Sequence, residues 1–182
     1  MTEATASFER VLCLSGSLRR VSANRAALEA ARELAPASLR LELYPDMDTL
    51  PLFNPDVEAG PLPQPVLDLR KAVGRADALL IACPEYAHGV PGAFKNLLDW
   101  LVGALEFPGK PVLLLNTSER ASHHAQDALM EVLRTMSARL LSDEPLPVRL
   151  PGAGCSMEAV MASEDRRREI EVALGCLAAG LA

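Results

Sequence analysis

RVLCLSGSLRRVSANRAALEAARELAP, residues 10–36, is the stretch whose reading decides the fold. It opens with RVLCLS (10–15), an apolar run of the length of one buried strand. It closes with NRAALEAARELAP (24–36), helical in spacing and stopped by Pro36. Between them SGSLRRVSAN (15–24) runs straight into the helix. A helix N-terminus presents unpaired backbone N–H groups and a partial positive charge, so this loop suits a bound phosphate. Ser15, Ser17, Ser22 and Asn24 add neutral donors, and Arg19 can grip a phosphate with a bidentate fork. Gly16 allows a tight turn. The loop lacks the Gly-Lys-Ser/Thr of a Walker loop and is not a GxGxxG fingerprint. The alternative is a polar loop in which Ser22 caps the helix and Arg19 is solvated.

The same alternation continues along the chain. LRLELY (39–44) reads as a second strand, followed by a proline-rich stretch from Pro45 to Pro65 without periodicity. Loops of that length are usually functional or cover something. VLDLRKAVGRA (66–76) is helical, and DALLIACPEY (77–86) is a strand apolar enough to be covered on both faces. PGAFKNLLDWLVGA (91–104) starts a helix with Pro91 at its first position. Phe94, Leu97, Leu98 and Leu101 form its core stripe, and Trp100 falls on another face. KPVLLLN (110–116) is a fourth strand and LPVRL (146–150) a fifth. Helices span 122–140, with Ser122 as cap, and 163–181, with Ser163 as cap. Strands alternating with helices imply right-handed βαβ units and a parallel sheet, here one α/β domain over residues 1–182. Ligands in such a sheet sit outside the carboxyl ends of the strands, which selects the loops 15–23, 84–90 and 117–122, the last including Ser118.

Composition narrows the function classes. A net charge of -6 argues against a general nucleic-acid binder, which needs a basic surface. The four cysteines have neither metal-ligand spacing nor the density of a disulfide scaffold. Cys13 and Cys83 fall in apolar runs as small core residues, which fits a reducing cytoplasm. The start shows no basic leader, and ALLIAC (78–83) and VLLLN (112–116) are too short to span a bilayer. The expectation is a soluble cytoplasmic protein without a membrane partner.

The second informative stretch is CPEYAHGVPGAFKNLLDWL (83–101). Pro84 ends the strand, Tyr86 supplies a flat face, and Gly89 with Pro91 turns the chain into the next helix. Taken together, Gly16, Ser17, Leu18, Arg19, Ser22 and Asn24, then Pro84, Glu85, Tyr86, Pro91, Gly92, Lys95, Asn96, Asp99 and Trp100, resemble the NAD(P)H-dependent FMN reductase family. LPLFNPD (50–56) and FPGKPV (107–112) match that family as well, and the resemblance spans roughly residues 8–140. It implies a flavodoxin-like α/β/α sandwich with a five-stranded parallel sheet in the order 2-1-3-4-5. It implies FMN as cofactor, NADPH or NADH as co-substrate, and a small oxidant such as a quinone as acceptor. The first loop would hold the FMN phosphate, and residues 84–89, with Ala87, His88 and Gly89, would line the flavin ring. Similar proteins pair through the helix 92–103, which implies a homodimer or homotetramer with Trp100 at the interface. The second function weighed is an FMN-binding electron carrier or redox sensor with little turnover of its own. Its motive is a pair of departures: Ala87 stands where the family has asparagine, and NTSERASHHAQ (116–126) replaces a glycine pair.

Other residues invite a role. Adjacent His123 and His124 point in different directions on a helix, so a solvated helix start outweighs a metal site. His88 could donate a hydrogen bond or a proton, but no orienting partner is evident in the sequence. GAGCSM (152–157) reads as a turn, with nothing near Cys155 to activate its thiol. Arg166, Arg167 and Arg168 read as solvated ion pairs. Glu85 either binds substrate beside the flavin or supports a subunit contact.

Overall fold

The computed structural model describes residues 8–119, 123–152 and 154–182. Its strands are β1 (Glu9–Ser15), β2 (Leu39–Leu43), β3 (Ala78–Ala82), β4 (Pro111–Ser118), β5 (Arg139–Leu140) and β6 (Leu146–Leu150). Its helices are α1 (Ala23–Leu34), α2 (Pro55–Glu58), α3 (Gln64–Arg75), α4 (Gly92–Val102), α5 (His124–Thr135), α6 (Met157–Met161) and α7 (Glu164–Leu181).

All the pairings are parallel: β2 with β1, β1 with β3, β3 with β4, and β4 with both β5 and β6. With 146–150 as the fifth strand, the sheet has the expected order 2-1-3-4-5 of a flavodoxin-like fold. The two-residue β5 is an addition. It pairs with Pro111 and Val112, at the start of the β4 edge that β6 completes from Leu115 onward. Residues 136–140 therefore do not continue the helix. Ser137 adopts φ 65°, the left-handed geometry that stops α5 and turns the chain into β5. The expected cap Ser122 lies outside the described residues, and His123 holds the N-cap position of α5. Pro91 and Ser163 occupy N-cap positions of α4 and α7, but neither makes a side-chain cap bond.

Period-two alternation sends the strand side chains to two cores. Val11 and Cys13 of β1, Ala78, Leu80 and Ala82 of β3, and Leu113 and Leu115 of β4 face α1, α6 and α7. Leu12, Leu14, Leu79, Ile81, Val112 and Leu114 face α3, α4 and α5. Covering both faces is what lets β3 be apolar at every position.

Trp100 corrects the sequence reading. It is fully buried within this one chain, stacked edge-on against Phe53 at 5.0 Å, with its indole N–H donated to Pro51 O at 2.8 Å. The aperiodic stretch 45–63 forms its cover. Asn96 pins that stretch from both sides, accepting from Phe53 N (2.7 Å) and donating to Pro51 O (2.9 Å). Arg70 adds a clamp, bonding Trp100 O at 3.1 Å and Glu58 at 2.6 Å. The Asn-x-x-x-Trp part of the second motif thus fastens a loop rather than offering a surface.

The remaining differences are local. Two arginines of 166–168 are not merely solvated: Arg166 and Arg167 donate to the carbonyls of Ala159 and Met161, tying α7 to α6. Gly152 turns at φ 75°, as the turn reading of 152–157 requires, and Cys155 behind it is buried with its thiol pushed up by burial.

Candidate active site

Because β1 lies between β2 and β3, the winding reverses there, and the crevice outside the strand ends opens at that point. A cavity of about 530 Å³ occupies it. Its walls carry Ser17, Arg19, Ser22 and Asn24 from the first loop, Pro84, Glu85, Tyr86 and His88 from the loop after β3, and Ser118 from β4. The structure brings together residues from all three loops selected from the sequence. Ser15, Leu18, Ala87 and Gly89 do not line it; Leu18 is exposed, and Ala87 and Gly89 shape the turn that carries its neighbours. Arg120, in the third loop, lies outside the described residues.

Ala23 and Thr117, within two of those selected loops, line the cavity too, and with them Cys83, Asn116 and Gly152, which the sequence reading did not assign to it. Asn116 could have been found, since it sits at the carboxyl end of the fourth strand. Gly152 could not, because the arrival of the end of β6 at the same rim depends on tertiary packing.

The first loop is built from within. Ser17 N contacts Ser15 Oγ at 3.4 Å and Ser17 Oγ accepts from Arg19 N at 3.3 Å, which curls the backbone ahead of α1. Ser22 takes the N-cap position, yet its buried hydroxyl makes no cap bond, and the first turn of α1 carries no acidic residue. Ser22 is instead part of the cavity wall. Asn24 is anchored by Thr117, whose hydroxyl donates to Asn24 Oδ1 at 2.9 Å with both side chains buried.

The second helix N-terminus at this rim is treated differently. Glu85 Oε2 accepts from Ala125 N at 2.9 Å, so an internal carboxylate already occupies the start of α5. Its other oxygen lies 3.3 Å from His88 Nδ1, the orienting partner that the sequence did not reveal. The His88 ring also meets His124 edge-on at 4.4 Å, and His124 lies 4.1 Å from His123. Both residues of the pair are exposed, but His124 reaches back to the loop after β3 rather than standing apart from it. Among the described residues no group of three or more His, Cys, Asp or Glu is placed to hold a metal ion.

Cys83 lines the cavity but is chemically quiet. Burial pushes its thiol from 9.0 up to about 12, so it stays protonated at neutral pH. Gln126 supports the same strand end, donating to Cys83 O at 2.9 Å.

The arrangement resembles known proteins in sequence and in structure. The family model described as NADPH-dependent FMN reductase matches residues 10–147. An NAD(P)H-dependent FMN reductase of Pseudomonas aeruginosa is 40% identical over 129 residues, covering 66% of this chain and 69% of that protein. A quinone reductase of Escherichia coli is 35% identical over 131 residues, with the same shares of 66% and 69%. Among solved structures, a flavoenzyme NAD(P)H:(acceptor) oxidoreductase of Paracoccus denitrificans superposes with TM-score 0.74 at 26% identity, covering 93% of this chain and 97% of that one.

Proposed function

This chain belongs to the NADPH-dependent FMN reductase family, and on that premise we propose how its cavity serves an NAD(P)H-dependent flavin and quinone oxidoreductase. The observation that carries the proposal is the contrast between two helix ends at one rim. Glu85 neutralises α5, whereas α1 opens into the cavity with no acid in its first turn and no side-chain cap. An anion therefore belongs at α1. The residues fit the phosphate of FMN: backbone N–H groups of α1 with Ser17, Ser22 and Arg19 would hold it. The volume of about 530 Å³ lies within the range of sites for ligands of this size.

Pro84, Glu85, Tyr86 and His88 would border the ring end, with Asn116, Thr117 and Ser118 opposite the first loop. FMN held there would supply the hydride and electron chemistry between NAD(P)H and a small oxidant. The chain's own residues bind and orient. Asn24, locked to Thr117, keeps the start of α1 in register with the end of β4. The open rim lets reductant and oxidant use one face in turn.

A second copy of the chain is the proposed partner. Exposed Val102 ends α4, and Leu105 just beyond it, 94% accessible, lines a hollow with Leu62 and Leu67. Sedimentation at micromolar concentration should show a dimer that Leu105→Asp weakens. A reducing cytoplasm is the proposed compartment, since all four cysteines are free thiols. Residues 1–182 are proposed to act as one domain, and among the described residues no helix is long and apolar enough to cross a membrane.

The decisive measurement is anaerobic mixing of the FMN-loaded protein with NADPH and with NADH, followed at the flavin absorption bands. Rapid bleaching with either, reversed by benzoquinone, is expected. A protein that binds no FMN, or whose flavin stays oxidised with both nucleotides, would sink the assignment.

A further inference from the structure

Residues 86–89 close a two-residue hairpin turn, Tyr86 N donating to Gly89 O (3.0 Å) and Gly89 N to Tyr86 O (2.9 Å). The two central positions are Ala87 at φ 49° and His88 at φ 60°, both left-handed. Turns of this kind favour Asn and Gly, so two other residues there are held against their preference. The conformation sets the imidazole on the cavity wall, with Nδ1 3.3 Å from Glu85 Oε1 and the ring edge-on to His124. Glu85 is fixed independently: it accepts from Ala125 N and is only 15% exposed, against 76% for His88. A held carboxylate thus faces one ring nitrogen, while most of the ring remains open to cavity and solvent.

The geometry points to His88 as the residue that delivers the proton when a quinone-class acceptor is reduced in this cavity, with Glu85 as its positioning residue. This rests on the flavoenzyme reading above. The quinone takes one hydride equivalent from the reduced cofactor, and its remaining oxyanion takes one proton from His88 Nε2. There the N–H bond breaks, an O–H bond forms, and the hydroquinone leaves. Solvent returns the proton to the exposed ring. Glu85 keeps the other proton on Nδ1 and stabilises the charged imidazolium. Among the described residues, His124 at the start of α5 meets the ring, His123 packs on His124, and Arg19 and Tyr86 line the same cavity.

His88→Asn is the informative variant, because asparagine tolerates left-handed backbone and preserves the turn. Benzoquinone reduction consumes a proton, whereas ferricyanide accepts a single electron and needs none. The expected result is a loss in kcat/KM at least about ten-fold larger on benzoquinone than on ferricyanide. Equal losses on the two acceptors overturn the proposal. A second readout does not depend on turnover. Nitrogen-15 NMR of the histidine side chains in the full-length protein should show neutral His88 protonated mainly on Nδ1, and Glu85→Gln should diminish that form. A major Nε2–H tautomer in the unaltered protein overturns the pairing. Failure of NADPH and NADH to bleach the flavin condemns the flavoenzyme reading instead, and leaves the tautomer result standing as a separate fact.

Discussion

Gly16 and Cys83 meet across the carboxyl ends of β1 and β3: a Cβ built on Gly16 would lie 2.6 Å from Cys83 Sγ and 3.0 Å from Cys83 Cα. The sequence suggested a glycine chosen for a tight turn. The structure shows one chosen for close approach, in a loop whose neighbour Ser17 lines the cavity. Gly16→Ala should therefore destabilise the fold by about 1–3 kcal/mol, as overpacking does. Cys83→Ala should restore only part of this, because the backbone contact remains. Urea denaturation of the single and double variants measures both effects, and full restoration would locate the clash in the side chain alone.

Arg19→Ala should weaken FMN binding about ten-fold or more, the ~1.5–3 kcal/mol of a hydrogen bond to a charged group. Riboflavin, which lacks the phosphate, is the control and should bind both proteins alike. Fluorescence titration reads both ligands. Unchanged FMN affinity would remove the phosphate from this loop.

Ala87→Gly should stabilise the protein by about 1 kcal/mol, since a left-handed residue with a Cβ costs roughly 1–2 kcal/mol. A rise in Tm with the turn intact is the expected outcome. A fall would mean that the methyl group makes a contact outweighing the strain.

Asn96→Ala should cost about 1–3 kcal/mol by leaving Phe53 N without its partner and Pro51 O held by the Trp100 indole N–H alone. Trp100 is the only tryptophan, so its emission reports the cover directly. A red shift without loss of helical circular dichroism is expected.

Alkaline pH should unfold the protein by a traceable route. Burial pushes the Cys13 and Cys83 thiols from 9.0 up to about 12, and, aided by Asp46 and Asp68, the Tyr44 phenol from 10.0 up to about 12. A raised folded-state pKa contributes stability that is whole below the unfolded value and is lost as pH climbs to the folded one. The urea midpoint should thus begin to fall above pH 9 and go on falling to about pH 12. Cys13→Ala should flatten that decline.

The sequence by itself determined the succession of the main strands and helices, the parallel sheet and the place of the loop before α1 in the cavity wall. These rest on periodicity, apolar runs and a serine- and arginine-bearing turn before a helix, all properties of short stretches of chain. Element ends were less legible: the α5 stop at Ser137 and the two-residue β5 depend on what β4 offers alongside. Only the tertiary structure decided the roles of single side chains. Trp100 is core because a loop some fifty positions away lies over it. Glu85 caps α5 from 40 residues away, and Asn24 meets Thr117 across 93. Such contacts are set by how the layers stack, and the separation in sequence that makes them costly to close also hides them from any local pattern.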